Sequence, residues 1–176
     1  MAITLRCTQV VRRRLQLARE LPESPPATTA LGDWYVNLIR FGRQQIIMAT
    51  SERSLLTVFV SARQLRELLL PNLQAVVFEV LIQLGVPVAD AQAEVQAMDP
   101  ASFGVATNRR VLGSMNQLVF DASWATERIS DPVALALHLA DTPMSALGAK
   151  KGGHGWPDKV TRQLMELHYA KAGASH

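Results

Sequence analysis

Thr107-Asn108-Arg109-Arg110-Val111-Leu112-Gly113-Ser114-Met115-Asn116 is the stretch with the best claim to chemistry. A helix opening at Thr107 or Asn108 would present free backbone N–H groups beside two guanidinium groups, a combination that suits an anion. The competing account is an ordinary capped helix start whose arginines pair with neighbouring acids, and such caps are common. Asn116 would follow about two turns along. Gly113 costs helix stability relative to alanine, so a close backbone or helix approach is a possible reason for it. A second polar group comes from Asn37 and from Arg43 in Phe41-Gly42-Arg43-Gln44. The candidate anion- or partner-binding set is therefore Asn37, Arg43, Asn108, Arg109, Arg110 and Asn116. Arg12 and Arg19, with Gln16, would form a basic strip on an early helix. A solvated helix face is the favoured account of that strip, and a nucleic-acid surface is second.

Complete catalytic motifs are missing from the sequence. His138, His154, His168 and His176 are scattered, with none at a zinc-ligand spacing such as HExxH, so no metal is expected. No GxSxG elbow occurs. Asp141 to Pro157 is glycine-rich and holds Lys150, Lys151 and His154, but it lacks the Walker A spacing and reads as a flexible connector. Cys7 reads as an inert thiol on an inward strand face. Trp34, Tyr35 and Trp124 could stack bases, yet they also read simply as core residues, and no RNP-type signature accompanies them. No cofactor is implied. An enzyme would need a pocket joining Asp33, Asn37, Arg43, Asn108 or Arg109, with at least one perturbed titrating group.

The composition is that of a folded protein: 176 residues, 48% hydrophobic and 19% charged, enough for one sizeable core. One cysteine precludes an internal disulfide and suggests a reducing, cytoplasmic setting. Residues 1–11 lack a signal peptide's apolar run, and no stretch of ~18 apolar residues suggests a membrane span. The net charge of +3 is unevenly spread. Residues 1–66 hold ten arginines against four acids, giving +6, and residues 67–176 hold eight basic residues against eleven acids, giving −3. Arginine outnumbers lysine by 14 to 4, which favours bidentate contact with phosphate or carboxylate.

The elements that must position these residues centre on Asp33 to Val60. Alternation there predicts three strands, starting at Trp34, Ile46 and Leu55, joined by turns at Gly42 and at Ser51-Glu52-Arg53-Ser54. Both faces are apolar, so both should be covered. Ala2 to Cys7 and Ala101 to Ala106 add strands, and Thr8 would cap a helix from Gln9 to Glu20. Ser61 would cap a helix to about Leu69, with Pro71 breaking or restarting it. Leu73 to Leu84 is apolar nearly all round, as in a buried central helix or a subunit interface. Further helices are expected over Val88–Met98, from Asn108 to Thr126, over Asp131–Ala140, and over Pro157–Lys171 with Val160, Leu164 and Leu167 inward. The fold class is α+β, a single domain over residues 1–171 with a fraying tail at 172–176. It would hold a mainly antiparallel sheet of four or five strands with a central meander, packed by about six helices.

Thr28-Thr29-Ala30-Leu31-Gly32-Asp33-Trp34-Tyr35-Val36-Asn37-Leu38, Arg43-Gln44-Gln45, Ser51-Glu52-Arg53-Ser54-Leu55-Leu56 and the Thr107–Asn116 run together resemble a bacterial family catalogued only as a domain of unknown function. The likeness runs from Ile3 to about Val160. Its members share the tryptophan and asparagine of the first hairpin strand, basic turn residues, and an Asn-Arg-Ser-like helix start followed by Met-Asn; here Arg110 stands at the serine position. The resemblance implies a shared fold and polar surface, and a possible toxin–antitoxin or mobile-element setting. The expected function is a cytoplasmic binding or regulatory protein acting through a protein partner. Nucleic-acid binding by the arginine-rich half is the alternative, and a small enzyme with a polar pocket near Thr107 is the second alternative. No membrane contact is expected, and a homo-oligomer is compatible.

Overall fold

The computed structural model describes residues 2–174. Its sheet has the order β4-β3-β2-β1-β5. β2 (Trp34–Phe41), β3 (Gln44–Ser51) and β4 (Thr57–Ser61) form the expected meander, and β1 (Ile3–Cys7) and β5 (Ala101–Val105) complete the sheet. The longest ladder, β2–β3, is antiparallel, as is β3–β4, but β1 is parallel to both neighbours: Leu5 pairs with Trp34, and Ile3 with Ala101. The meander is therefore one half of the sheet, and β1 is inserted between it and the edge strand β5.

Alternation along β2 sorts side chains onto two cores. Trp34 and Val36 join one core with Ile47, Ala49, Val58 and Val60, while Tyr35 and Ile39 join the other with Met48 and Phe59. The first core is closed by α1 (Gln9–Arg14), α2 (Leu65–Gln83), α3 (Val88–Ala97) and α6 (Pro157–Gly173). The second is closed by α4 (Arg109–Ala125) and by α5 (Pro132–Ala140), which gives Leu135 and Leu139 to this core and Ala136 and Ala140 to the first. Trp34 and Tyr35 are almost fully buried back to back, each contributing about 2 kcal/mol from area alone.

Several local expectations are corrected. The first helix stops at Arg14, not Glu20: Gln16 takes φ 53°, and the amides of Gln16 and Leu17 donate back to the carbonyls of Arg13 and Arg12. That is a helix stop of the kind glycine usually makes, so Arg12, Gln16 and Arg19 do not share a helical face. Ser61 does not cap α2, which starts at Leu65 and runs unbroken through Pro71; the proline is exposed, where the carbonyl it leaves unpaired meets water. Gly85, at φ 84°, ends this helix as expected, with Val86 N–H donating to the Leu81 carbonyl. The third strand begins at Thr57 because Leu55 adopts φ 60° in the preceding turn. In α6 the buried positions are Pro157, Thr161 and Met165; Leu164 packs against the core as expected, while Leu167 is half exposed. Asp141 to Pro157 is folded, not a flexible connector: Met144 and Gly155 exchange two backbone hydrogen bonds of 2.7 and 3.0 Å around a 3-10 turn at Ser145–Leu147. Of the tail, Ser175 and His176 lie outside the described residues.

Two polar devices tie the elements together. Asp33 is buried; its carboxylate accepts from Thr4 N–H at 2.8 Å and from Arg6 Nε at 3.1 Å, fixing β1 against β2. Beside it Gly32 has φ 75°, and a Cβ there would meet Arg53 Cγ at 2.9 Å, while Arg53 Nη1 donates to the Thr29 carbonyl at 2.8 Å. Glu94 on α3 is the second device, and nothing in the sequence singles it out. It is 1% exposed, and its carboxylate accepts from Ala30 N–H, Leu31 N–H and the Tyr169 hydroxyl at 2.9, 2.9 and 2.6 Å. It thereby holds the loop before β2, α3 and α6 at one point.

Glu94→Ala strands two buried amides and a hydroxyl, and unfolding titrations should show a loss of about 3 kcal/mol or more. Tyr169→Phe removes one bond and should cost about 1 kcal/mol. Burial first, then the Glu94 hydrogen bond, raises the Tyr169 pKa, so its stabilising share is complete below the ordinary tyrosine value and is lost as pH rises above it. Tyr169→Phe should accordingly flatten the alkaline end of the stability profile, read as melting temperature against pH.

Candidate functional site

β1 and β5 end side by side, and their chains leave the sheet toward opposite faces, into α1 and α4. At this divergence Thr8 Oγ1 donates to Asn37 Oδ1 at 2.8 Å, and Asn108 N–H donates to the Tyr35 hydroxyl at 3.2 Å. Asn108 caps α4, its Oδ1 accepting from the amides of Arg110 and Val111. Arg110 Nη1 donates to the Ala146 carbonyl at 2.9 Å, so it secures the Met144–Gly155 loop instead of pairing with an acid. Arg109 is exposed and makes no hydrogen bond or ion pair among the described residues. Asn37 and Asn108 are thus brought near one another through Tyr35, with Arg109 and Arg110 one step beyond.

Arg43 does not join them. Gly42 and Gln44, on either side of it, line a groove with Ser123, Thr126 and Glu127, at the opposite end of α4 from Asn108. A helix of 17 residues is about 25 Å long, so the hairpin turn and the helix start are separate places. Asp33 is engaged at the far end of β2 by Arg6 and takes no part in either. The pocket an enzyme would have needed, joining Asp33, Asn37, Arg43 and Asn108, is not formed. Among the described residues no group of three His, Cys, Asp or Glu side chains is placed to hold a metal ion, and no helix is long and apolar enough to cross a membrane.

Arg43 stands instead at the hairpin turn, beside grooves that other arginines line. One groove beside the hairpin is lined by Arg14, Gln44, Gln45, Ser61 and Arg63, and the next by Arg14, Gln16, Gln64, Arg66 and Glu67. Arg40 sits opposite Gln45 in the β2–β3 register, and Arg12, Arg13 and Arg14 form the last turn of α1, which packs on β2. The carboxylates in these grooves are Glu67 and Glu127. Arg66 also donates to the Leu15 carbonyl, closing the end of α1. Arg12 shares the last turn of α1, but its charge acts on the Cys7 thiol, and its Nε is buried without a hydrogen-bond partner among the described residues. The charge imbalance of residues 1–66 signals the cluster, but its composition depends on strand register and on where α1 stops. Arg19 lies in the loop beyond that stop and is exposed.

α4 holds another surprise on its outer side. Val111, Met115, Leu118 and Ala122 are buried as the periodicity requires. Trp124, read from sequence as a core residue, is instead 63% exposed, as is Phe120, and the two rings meet edge to face at 6.3 Å. Gly113 has nothing within 4 Å of where its Cβ would stand, so no contact within the chain explains it. Asn116 is exposed on the same helix.

A sequence model of the family described as "Domain of unknown function (DUF6933)" matches residues 4–160. The chain belongs to the DUF6933 family. No curated protein and no solved structure matches it. The residues quoted above for the resemblance divide, in this DUF6933 chain, into a structural set and an open set. Thr29, Asp33, Ser51, Arg53 and Ser54 are satisfied within the chain, with Ser51 Oγ donating to the Leu31 carbonyl and accepting from Ser54 N–H. Arg43, Arg109 and Asn116 are exposed and make no such bonds.

Cys7 is fully buried, and desolvation pushes its thiol up to about 12 despite the opposing charge of Arg12. It should resist alkylation at pH 8 until the protein is unfolded, a test made with iodoacetamide and mass spectrometry. Because the folded state favours the neutral thiol, this contribution to stability is intact below pH 9.0 and is lost as the pH rises toward about 12. Tyr35→Phe removes the acceptor for Asn108 N–H and should cost about 1 kcal/mol in a denaturant titration.

Proposed function

We propose that this DUF6933 chain is a nucleic-acid-binding protein that grips phosphates through the arginine cluster at the hairpin end of its sheet. The observation that carries this reading is that Arg40, Arg14, Arg63 and Arg66 line adjoining grooves at the hairpin end, whose carboxylates are Glu67 and Glu127, with Arg13 and Arg43 next to lining residues in sequence. Guanidinium groups that outnumber the nearby acids raise the folding cost through mutual repulsion, and a polyanion relieves it. Arginine offers a planar fork matched to phosphate oxygens. Backbone contact of this kind favours affinity over base readout.

An acidic protein surface fits the same charge, and salt dependence with a direct nucleic-acid probe separates the two. Labelled duplex DNA and single-stranded RNA are titrated by fluorescence anisotropy between ~50 and ~200 mM salt. With about four phosphates neutralised, the affinity should fall roughly 100-fold over that range. Arg13→Ala, Arg43→Ala and Arg63→Ala should each lower the logarithmic salt slope by about 0.9 on duplex DNA. Arg162→Ala, on α6, should leave the slope unchanged. Absence of binding to either probe at ~50 mM salt would sink the reading and leave an acidic protein as the partner for the cluster.

A further inference from the structure

The outer side of α4 carries none of the arginines of the hairpin end, and the nucleic-acid reading does not use it. Arg109, Gly113, Asn116, Phe120 and Trp124 recur every three or four residues, directly opposite the buried stripe of Val111, Met115, Leu118 and Ala122. Phe120 and Trp124 are each 63% exposed, and their rings meet one another edge to face. The ends of the stripe differ in charge. Arg109 and Arg110 stand at its start and Asp121 toward its close, while Glu127 and Arg128 beyond the helix offset one another.

We propose that this face pairs with the same face of a second copy, the two α4 helices crossing antiparallel about a two-fold axis between Asn116 and Gln117. The register follows from symmetry, since residues equally distant from the axis must meet. Gly113 then lies opposite the partner's Phe120, and Arg109 opposite the partner's Trp124. The space left by the missing Cβ at Gly113 receives a ring, and a guanidinium comes over an indole, a favourable cation–π contact. A parallel pairing would instead set glycine against glycine, leaving a gap, and Arg109 against its own copy. Antiparallel helices also oppose their dipoles favourably.

The flanks support the same pairing. Arg110 and Asp121 are about three turns apart and so share one side of α4, which a two-fold of this kind keeps on the same side. Arg110 is level with the partner's Ser123 and about 3 Å along the axis from the partner's Asp121, within reach of its long side chain. On that flank Arg110 anchors the loop carrying Lys150 and Lys151. A groove of about 510 Å³, lined by Asp121, Trp124, Glu127, Arg128, His138 and Thr142, begins at the other end of the same flank. The symmetry brings the basic loop of one copy over the acid-bearing groove of the other, twice. An isologous interface requires this self-complementarity, with each end of the patch matching the opposite end.

Sedimentation equilibrium of the full chain tests the pairing. At ~100 µM the mass should be twice the 19.3 kDa of one chain, dissociating on dilution. Trp124→Glu should raise the dimer dissociation constant at least tenfold with an unchanged melting curve. Arg110→Asp should do the same, and adding Asp121→Arg in the same chain should restore the dimer, which loss of the Ala146 contact within a chain would not explain. Gln117→Cys, close to the axis, should oxidise to a covalent dimer over a silent background, since Cys7 is buried. A mass of one chain at ~100 µM overturns the proposal and leaves the nucleic-acid titration unaffected. A dimer that survives both Trp124→Glu and Arg110→Asp overturns it equally.

Discussion

The carboxylate of Asp33 carries more of this architecture than its single charge suggests. One oxygen accepts from the Thr4 amide and the other from the Arg6 guanidinium, so it sets the strand holding Thr4 and Arg6 in register with Trp34 and its successors. Because β1 is parallel to both neighbours, no hairpin can define that register, and a misplacement by one residue would turn Ile3, Leu5 and Cys7 away from their core. A buried, paired carboxylate is a costly way to fix alignment, and it is most useful where local geometry cannot. Glu94 performs a related task across greater sequence distance, joining residues 30 and 31 to Tyr169.

Once β1 is seated, the sheet presents two distinct surfaces to the outside. The hairpin end gathers guanidinium groups from segments that are remote in sequence, and the outer side of α4 gathers aromatic rings and unlike charges along one helix. The first is suited to an extended anion and the second to a copy of itself. A two-fold pairing through α4 would duplicate the arginine end on each side of the axis, giving the assembly two grips on one polymer. Avidity of that kind multiplies affinity without adding a contact.

The meander, the Asn108 cap and the buried stripe of α4 were legible because each depends on local periodicity and on capping chemistry. The stop of α1 at Arg14 was not, since Gln16 is a poor advertisement for a left-handed conformation. Trp124 misled for a physical reason: hydrophobicity marks a residue as fit for burial but not for burial within its own chain. Separating Arg43 from Arg109 required knowing that α4 ends where the hairpin turns, a fact about packing and not about spacing. Glu94 gave no signal at all, because a lone acid on a short helix looks like any solvated one.

The placement of β1 has a consequence for the order in which the chain assembles. Its ladder with β2 spans about thirty residues of sequence, but its ladder with β5 joins Ile3 to Ala101. The β2–β3–β4 meander can close early, from neighbours, whereas the sheet cannot be completed until β5 has left the ribosome. Contacts of such separation carry a loop-closure cost before they return any stability, which slows the final step. During synthesis the first strand made thus waits on the last for its second edge. In that interval the inner flank of β1 is an unpaired strand edge, the point at which a nascent chain of this design is most exposed to wrong partners.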